Sequence, residues 1–203
     1  FPYTTLFRSE RLAAFYAERA RHGVALIVTG GVAPAPTGVT MEGGAVLNDA
    51  SQLPHHRIVT DAVHREGGKI ALQILHTGRY SYQPNLVAPS AIQAPINRFA
   101  PHALSHDEIL ALIDDFARCA ALAREAGYDG VEVMGSEGYL INEFLAARTN
   151  QRDDEWGGDY ARRMRFAVEV VRAVRERAGA DFIIIFRLSD RKSTRLNSSH
   201  PVR

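Results

Sequence analysis

The amino-acid sequence predicts an α/β fold, a partial (β/α)8 TIM barrel of about four consecutive βα units. Apolar strand-like segments alternate with helical patterns at intervals of roughly 30 to 50 residues, which is typical of parallel βα units. No strand precedes a Gly-x-Gly-x-x-Gly turn, and the loops after strands are far longer than the loops after helices. Both facts favour a barrel with an elaborate catalytic face over an open doubly wound sheet. Half a barrel would leave two sheet edges unpaired and its inner apolar face exposed.

The first two units come from two apolar segments, each preceded by a helical pattern. Residues 10–22 have apolar side chains at helical spacing, and Gly23 follows as a typical C-cap. The apolar run 24–29 is bounded by glycines and indicates a buried parallel strand, after which Gly30 and Gly31 are predicted to open a loop. N-cap residues near position 48 predict a helix that ends at position 66, and a strand is predicted over 69–76.

The last two units begin after a long polar loop. Ser105 and Glu108 form a capping-box pattern that opens a helix ending near Gly127. The elements predicted after it are a strand over 130–134, a helix over 162–178 with Met164 facing inward, and a strand over 182–188.

Composition and charge are those of an ordinary globular protein. The formal net charge is +1, with basic and acidic residues interleaved, so no nucleic-acid or membrane partner is expected. Cys119 is the single cysteine, which excludes a disulfide framework and a cysteine-ligated metal within this chain. The histidines show no metal-binding spacing, so no metal site is predicted. We expect a cytoplasmic enzyme or binding domain.

The two ends of the chain disagree with their surroundings. Segments 1–9 and 190–203 resemble in-frame translations of sequencing-library adapters, whereas 10–189 carries the barrel pattern. We expect both ends to be non-native tails and residues 10–189 to be part of a longer gene product. Natural polar tails are the alternative.

Two polar residues stand in otherwise apolar strands. Gln73 is either a satisfied core glutamine or an amide that faces the polar edge of a flavin or a similar heterocycle. Arg187 ends its strand in the same way, and a cation there needs a partner. That partner is either Glu132, as a structural ion pair, or the electron-rich edge of a ligand.

The segment 134–158 follows a strand directly, where βα proteins build their chemistry. Tyr139 could hand a proton to a developing carbanion, and Glu137, two residues earlier, could orient the phenol. Arg148, Asn150 and Arg152 lie further along, where they could bind phosphate or cap the next helix. Taken alone, a loop tyrosine such as Tyr139 is more often a packing residue than an acid, and Glu137 is more often a solvated loop acid.

Four motifs in order resemble the FMN-dependent 2,4-dienoyl-CoA reductases of the old yellow enzyme superfamily, and the similarity covers essentially all of 10–189. The motifs are Gly30-Gly-Val-Ala-Pro34, Leu72-Gln-Ile-Leu-His-Thr-Gly-Arg79, the segment 134–158, and Phe186-Arg-Leu-Ser189. Many superfamily members have a histidine and an asparagine, or two histidines, where this chain has Met134 and Glu137. The difference favours the dienoyl-CoA branch.

The resemblance implies a role for each candidate residue. Gly30, Gly31 and Ala33 would approach the isoalloxazine of FMN, and Gln73 and Arg187 would bind its pyrimidine edge. Tyr139 would donate the proton, Glu137 would support it, and Arg148 would contact the acyl-CoA substrate.

The family passes electrons from NADPH through FAD and a 4Fe-4S cluster to FMN, and acts in fatty acid β-oxidation. We expect the parts that bind FAD and the cluster to lie outside this chain, and the chain as written to bind FMN poorly and to be inactive. An ene reductase or amine dehydrogenase of the same superfamily is the alternative enzyme. A non-catalytic truncated fragment is the alternative from another class.

Overall fold

The computed structural model describes residues 5–189. Its main elements are the helices α1 to α5 and the strands β1 to β6, in the chain order α1 (Thr5–Arg21), β1 (Leu26–Val32), α2 (Leu53–Arg65), β2 (Lys69–Ile74), β3 (Val87–Ala88), β4 (His102–Ala103), α3 (His106–Glu125), β5 (Gly130–Gly135), α4 (Leu140–Leu145), α5 (Tyr160–Ala178) and β6 (Ile183–Leu188). Short 3-10 turns cover Pro36–Gly38, Ala50–Gln52 and Gly78–Tyr80.

The main sheet has four parallel strands in the order β1-β2-β5-β6. Each strand pairs with the next main strand along the chain, as consecutive βα units of a barrel do. The predicted α/β partial barrel is confirmed. All residues of the inner strand β5 are buried, whereas β6 at the sheet edge has partly or fully exposed residues throughout.

The helices pack in pairs beside the sheet, α1 against α2 and α3 against α5. Phe166 of α5 stacks on Phe144 of α4 with ring centroids 4.2 Å apart and meets Phe116 of α3 edge-on at 6.3 Å. All three rings are almost fully buried, and burying each contributes about 1.5–3 kcal/mol. This cluster fixes α4, and therefore the residues that precede it, relative to the sheet.

Ser105 caps α3 as its pattern predicts. Its hydroxyl accepts from Glu108 N at 3.3 Å, and the Glu108 carboxylate accepts from Ser105 N at 2.7 Å. Met164, predicted to face inward on α5, is instead 38 % exposed. The buried stripe of α5 passes through Phe166, Val170 and Val174, and Met164 lies off it.

Strand β1 differs from its prediction. It begins at Leu26 and continues through Gly30 and Gly31 to Val32, so these glycines do not open a loop. The register with β2 shifts between Val28 and Gly31, as at a β-bulge. The Thr29 hydroxyl accepts from Gln73 N at 3.0 Å beside this shift.

The predicted non-native tails lie mostly outside the described residues, since residues 1–4 and 190–203 are not described. Helix α1 begins at Thr5, within the segment predicted to be the first tail. The origin of both segments stays a prediction.

Candidate active site

A polar row crosses the sheet where β2, β5 and β6 approach their carboxyl ends. Gln73 and Glu132 are register partners on β2 and β5, and Gln73 Nε2 donates to Glu132 Oε1 at 2.7 Å. Arg187 of β6 places its Nη1 3.8 Å from the same carboxylate oxygen. Glu132 is only 8 % exposed, so the row is anchored on a buried acid.

Arg187 makes its shorter ion pair with Glu137, at 2.7 Å. The structural alternative for Arg187, a pairing with Glu132, is therefore present but is the longer of two contacts. The Arg187 side chain remains 47 % exposed, and ion pairs this exposed contribute only about 0–1 kcal/mol. The guanidinium thus stays accessible to a ligand over the sheet.

Glu137 occupies a turn with an unusual backbone. Its φ is +64°, and Gly138 follows at +85°, a conformation that side chains seldom adopt. The turn is held from both sides, because Glu137 N donates to Ser189 Oγ at 3.1 Å and Gly138 N donates to Asn142 Oδ1 at 2.9 Å. Non-glycine residues in such conformations are frequent at functional sites. The turn presents the Glu137 carboxylate to Arg187.

Tyr139 lies at the end of this turn and lines a cavity of about 180 Å³. Its ring meets the Tyr80 ring edge-on, with centroids 6.4 Å apart. The other lining residues are Thr40, Thr77, Tyr82, Ile96 and Glu137. Sequence reasoning identified Tyr139 and Glu137 but missed Tyr80, Tyr82 and Ile96, because they belong to a long loop without periodicity.

Glu137 and Tyr139 share the cavity, but the Glu137 carboxylate accepts a hydrogen bond from Arg187 Nη2 at 2.7 Å. Glu137 therefore connects the cavity to the polar row. Its role as the acid that supports Tyr139 stays a prediction.

The structure places the three predicted flavin-binding residues Gly30, Gly31 and Ala33 in different surroundings. A Cβ on Gly31 would overlap the Leu75 side chain and lie 3.2 Å from Gln73 Oε1, so only glycine fits beside this amide. Gly30 and Gly31 line a separate cavity of about 800 Å³, together with residues of α1 and α2. Ala33 is buried, and its backbone bonds to Ala45 and Leu47. Of this segment, Gly31 is the residue placed against Gln73.

Arg148 is exposed beyond the end of α4. Its neighbours Asn150 and Arg152 bond to backbone carbonyls, and phosphate binding by this group stays a prediction. Asn150 donates from Nδ2 to the carbonyls of Phe144 at 2.8 Å and Trp156 at 2.7 Å. Arg152 donates to carbonyl groups of the long loop. These two residues tie loops to the barrel, and contact between Arg148 and an acyl-CoA stays a prediction.

His76 follows β2 at its carboxyl end and is buried. Its Nδ1 accepts from Gly78 N at 3.2 Å, so the proton is on Nε2, 3.2 Å from Thr37 Oγ1. Burial lowers the pKa of His76 to about 3, so the ring is neutral. His76 therefore supports the following turn rather than facing the cavity.

The donor set of the polar row fits the polar edge of a flavin. That edge carries carbonyl oxygens and ring nitrogens, and an amide and a guanidinium can bond to them. Gly31 leaves the space beside Gln73 free of a side chain. Across residues 5–189, no group of three His, Cys, Asp or Glu side chains is placed to hold a metal ion.

The fold is a parallel βα barrel, its polar row fits a flavin, and the cavity lined by Tyr139 adjoins that row. These features are typical of flavoproteins built on a barrel. The chain belongs to the NADH:flavin oxidoreductase / NADH oxidase family, whose model matches residues 4–199. The family relationship indicates FMN as the flavin.

Three similar proteins illustrate the relationship. The N,N-dimethylglycine/sarcosine dehydrogenase of Chromohalobacter salexigens is 37% identical over 187 residues, 89% of this chain and 27% of the relative. The structure of a 2-naphthoyl-CoA reductase complex with 2-naphthoyl-CoA has a TM-score of 0.84 and 32% identity, covering 88% of this chain and 30% of that one. An old yellow enzyme homologue from Zymomonas mobilis has a TM-score of 0.80 and 32% identity, covering 87% and 52%.

This chain therefore spans between about a quarter and a half of the proteins to which it is similar. Within the described range, no helix is long and apolar enough to cross a membrane.

Proposed function

We propose that the chain is part of an NADPH-dependent 2,4-dienoyl-CoA reductase located in the cytoplasm. It supplies the residues that bind the polar edge of the flavin, and the proton donor. The observation that carries the proposal is the link through Glu137, which lines the tyrosine cavity and bonds to Arg187 of the polar row. A proton donor and a flavin-binding edge are thereby joined in one site.

Each residue of the site has a distinct task in this proposal. Gln73 and Arg187 bind the pyrimidine edge of FMN, and the positive charge of Arg187 favours a reduced, anionic ring. Bound FMN supplies the hydride. Tyr139 donates the proton to the substrate carbon, Glu137 orients the tyrosine, and Arg148 contacts the acyl-CoA. Charge that develops on the thioester carbonyl is stabilised by polar groups of the site.

Electrons would reach FMN from NADPH through FAD and a 4Fe-4S cluster held by segments outside this chain. An acyl-CoA substrate is supported by the similarity to the 2-naphthoyl-CoA reductase, whose structure contains 2-naphthoyl-CoA. Met134 and Glu137, in place of a histidine and an asparagine or of two histidines, also favour a thioester over a simple enone.

An amine dehydrogenase is the second candidate, because a relative with 37% identity is an N,N-dimethylglycine/sarcosine dehydrogenase. An ene reductase is the third, since an old yellow enzyme homologue has the same fold over this chain.

The test is to recover the native gene around residues 10–189 and to assay its purified product with three substrates. We expect NADPH-dependent loss of dienoyl absorbance with a 2,4-dienoyl-CoA, and much slower turnover of cyclohexenone and sarcosine. Preferred turnover of sarcosine or of the enone would replace the proposal with the corresponding alternative.

A further inference from the structure

Glu143 is a buried acid that the proposed chemistry does not use. It lies one helical turn after Tyr139, and its backbone N donates to the Tyr139 carbonyl at 2.8 Å. Its side chain is 1 % exposed. Oε1 accepts from Arg79 N at 3.0 Å, and Oε2 has no hydrogen-bond partner within the described structure.

The carboxyl group of Glu143 lies against the turn Gly78–Tyr80. A Cβ on Gly78 would come within 2.5 Å of Oε2 and 2.6 Å of Cδ, so the missing side chain makes room for the acid. Gly78 has a φ of +59°, which independently favours glycine. Leu140 N donates to the His76 carbonyl at 3.1 Å and ties the start of α4 to the end of β2.

Tyr80 is the last residue of this turn, and its ring meets Tyr139. Glu143 thus bonds through its carboxyl group to the amide of Arg79, the residue before Tyr80, and through its backbone N to the Tyr139 carbonyl. Moving the carboxyl group would move the turn that carries Tyr80 and change the cavity wall.

Among the described residues, the charge of Arg79 lowers the pKa of Glu143, but by less than burial raises it. Arg79 directs Nη1 to the Ile92 carbonyl at 3.4 Å and places its guanidinium carbon 5.4 Å from the centre of the Tyr80 ring. The end of β2 brings the neutral His76, and β5 brings Glu132, which is bonded to Gln73.

Helix α5 brings Arg163, which is bonded to the carbonyls of Leu145 and Gly158. An ionised carboxylate without a partner is costly to bury. Burial accordingly raises the pKa of Glu143 to about 8.

We propose that Glu143 is a positioning residue whose neutral carboxyl group holds the Gly78–Tyr80 turn and so keeps Tyr80 against Tyr139. The inference rests on the proposed function only for the role of Tyr139 as proton donor. The geometry of the tyrosine pair is independent of the substrate. Ionisation of Glu143 places a charge in this buried site, and the cost of burying that charge releases the turn.

The test compares Glu143→Gln, which keeps the shape without the charge, with Glu143→Leu, which removes the hydrogen bond. The readout is the near-ultraviolet circular dichroism of the tyrosine pair, assigned with Tyr80→Phe and Tyr139→Phe, from about pH 6 to 9. Far-ultraviolet spectra confirm folding at each pH.

We expect the wild-type signal to fall by half near pH 8, the Gln variant to keep the full signal throughout, and the Leu variant to lack it. A Gln variant that lacks the signal at pH 6, or that loses it with the wild-type midpoint, overturns the proposal. If the Leu variant does not fold, the comparison of the wild type with the Gln variant still tests the proposal. Because no flavin or substrate is added, failure of the dienoyl-CoA assignment leaves the outcome unchanged.

Discussion

Gln73 donates its side-chain amide to Glu132 across two adjacent strands, with 2.7 Å between Nε2 and Oε1. The amide nitrogen can only donate, so this bond turns Nε2 towards Glu132 and Oε1 towards Gly31. Glu132 therefore determines the orientation of the Gln73 amide, and with it whether a ligand contacts the amide oxygen or the amide nitrogen. Glu132 was considered in the sequence only as a partner of Arg187, and its bond to Gln73 was missed.

The coupling between Gln73 and Glu132 should exceed that between Arg187 and Glu137. Hydrogen bonds to charged groups contribute about 1.5–3 kcal/mol, and Glu132 is buried. The Arg187–Glu137 pair is half exposed and should give about 0–1 kcal/mol. Two double-mutant cycles with alanine, measured by urea unfolding, would check both values. Equal coupling energies would contradict the ranking.

Gly31→Ala should destabilise the protein by about 1–3 kcal/mol, because the new methyl group overlaps the Leu75 side chain and displaces Gln73. Gly30→Ala is the matched control, since a Cβ there meets nothing within 4 Å. The control should change the free energy of unfolding by about 0.5 kcal/mol or less. A larger loss of unfolding free energy in Gly30→Ala than in Gly31→Ala would contradict the close packing of Gly31 against Leu75.

The raised pKa of Glu143 should be visible in the pH dependence of the protein's stability. An acid whose folded pKa is about 8 and whose unfolded value is 4.5 holds more protons when folded between these values, so its contribution to stability falls as pH rises. His76 and His56, whose pKa values burial lowers to about 3 and about 4, act in the opposite direction but only below pH 6.5. Between pH 6.5 and 8, Glu143 should therefore contribute most of the pH dependence of the free energy of unfolding.

In that window the wild-type free energy of unfolding should fall relative to Glu143→Gln, with a slope of up to about 1.4 kcal/mol per pH unit. Chemical denaturation at four pH values measures the difference. Parallel curves for the two proteins would mean that the folded protein ionises Glu143 as readily as the unfolded chain does.

The chain of residues 1–203 should retain little FMN by itself. Its described part supplies the polar edge of the flavin site, while β6 leaves its apolar residues partly exposed at the sheet edge. The measurement is flavin absorbance after purification and gel filtration with added FMN, together with ANS fluorescence. Stoichiometric flavin and a monodisperse monomer without ANS binding would refute this expectation.

The parallel barrel strands could be predicted because their residues are apolar and the glycines around them mark element ends. The same rule failed at β1, where Gly30 and Gly31 serve close packing inside the strand rather than a turn. The short strands β3 and β4 lie in a loop without any period, so no local signal marks them.

Parts of the site depend on residues far apart in the chain. Tyr139 and Glu137 could be identified from their position after a strand. Tyr80 and Glu143 could not, because the bond from Arg79 N to Glu143 spans 64 positions and has no sequence pattern. Only the packing of α4 against the turn brings them together.

The central claim is that Tyr139 donates the proton in dienoyl-CoA reduction, and Tyr139→Phe in the complete gene product tests it most directly. Tyr82→Phe, in the same cavity, is the matched control. The enzyme is first reduced by NADPH, and its reoxidation by a 2,4-dienoyl-CoA is followed by stopped-flow absorbance. The account predicts normal flavin reduction in both variants and reoxidation slowed about 10²–10⁴-fold in Tyr139→Phe alone. Reoxidation of Tyr139→Phe at the wild-type rate would contradict it.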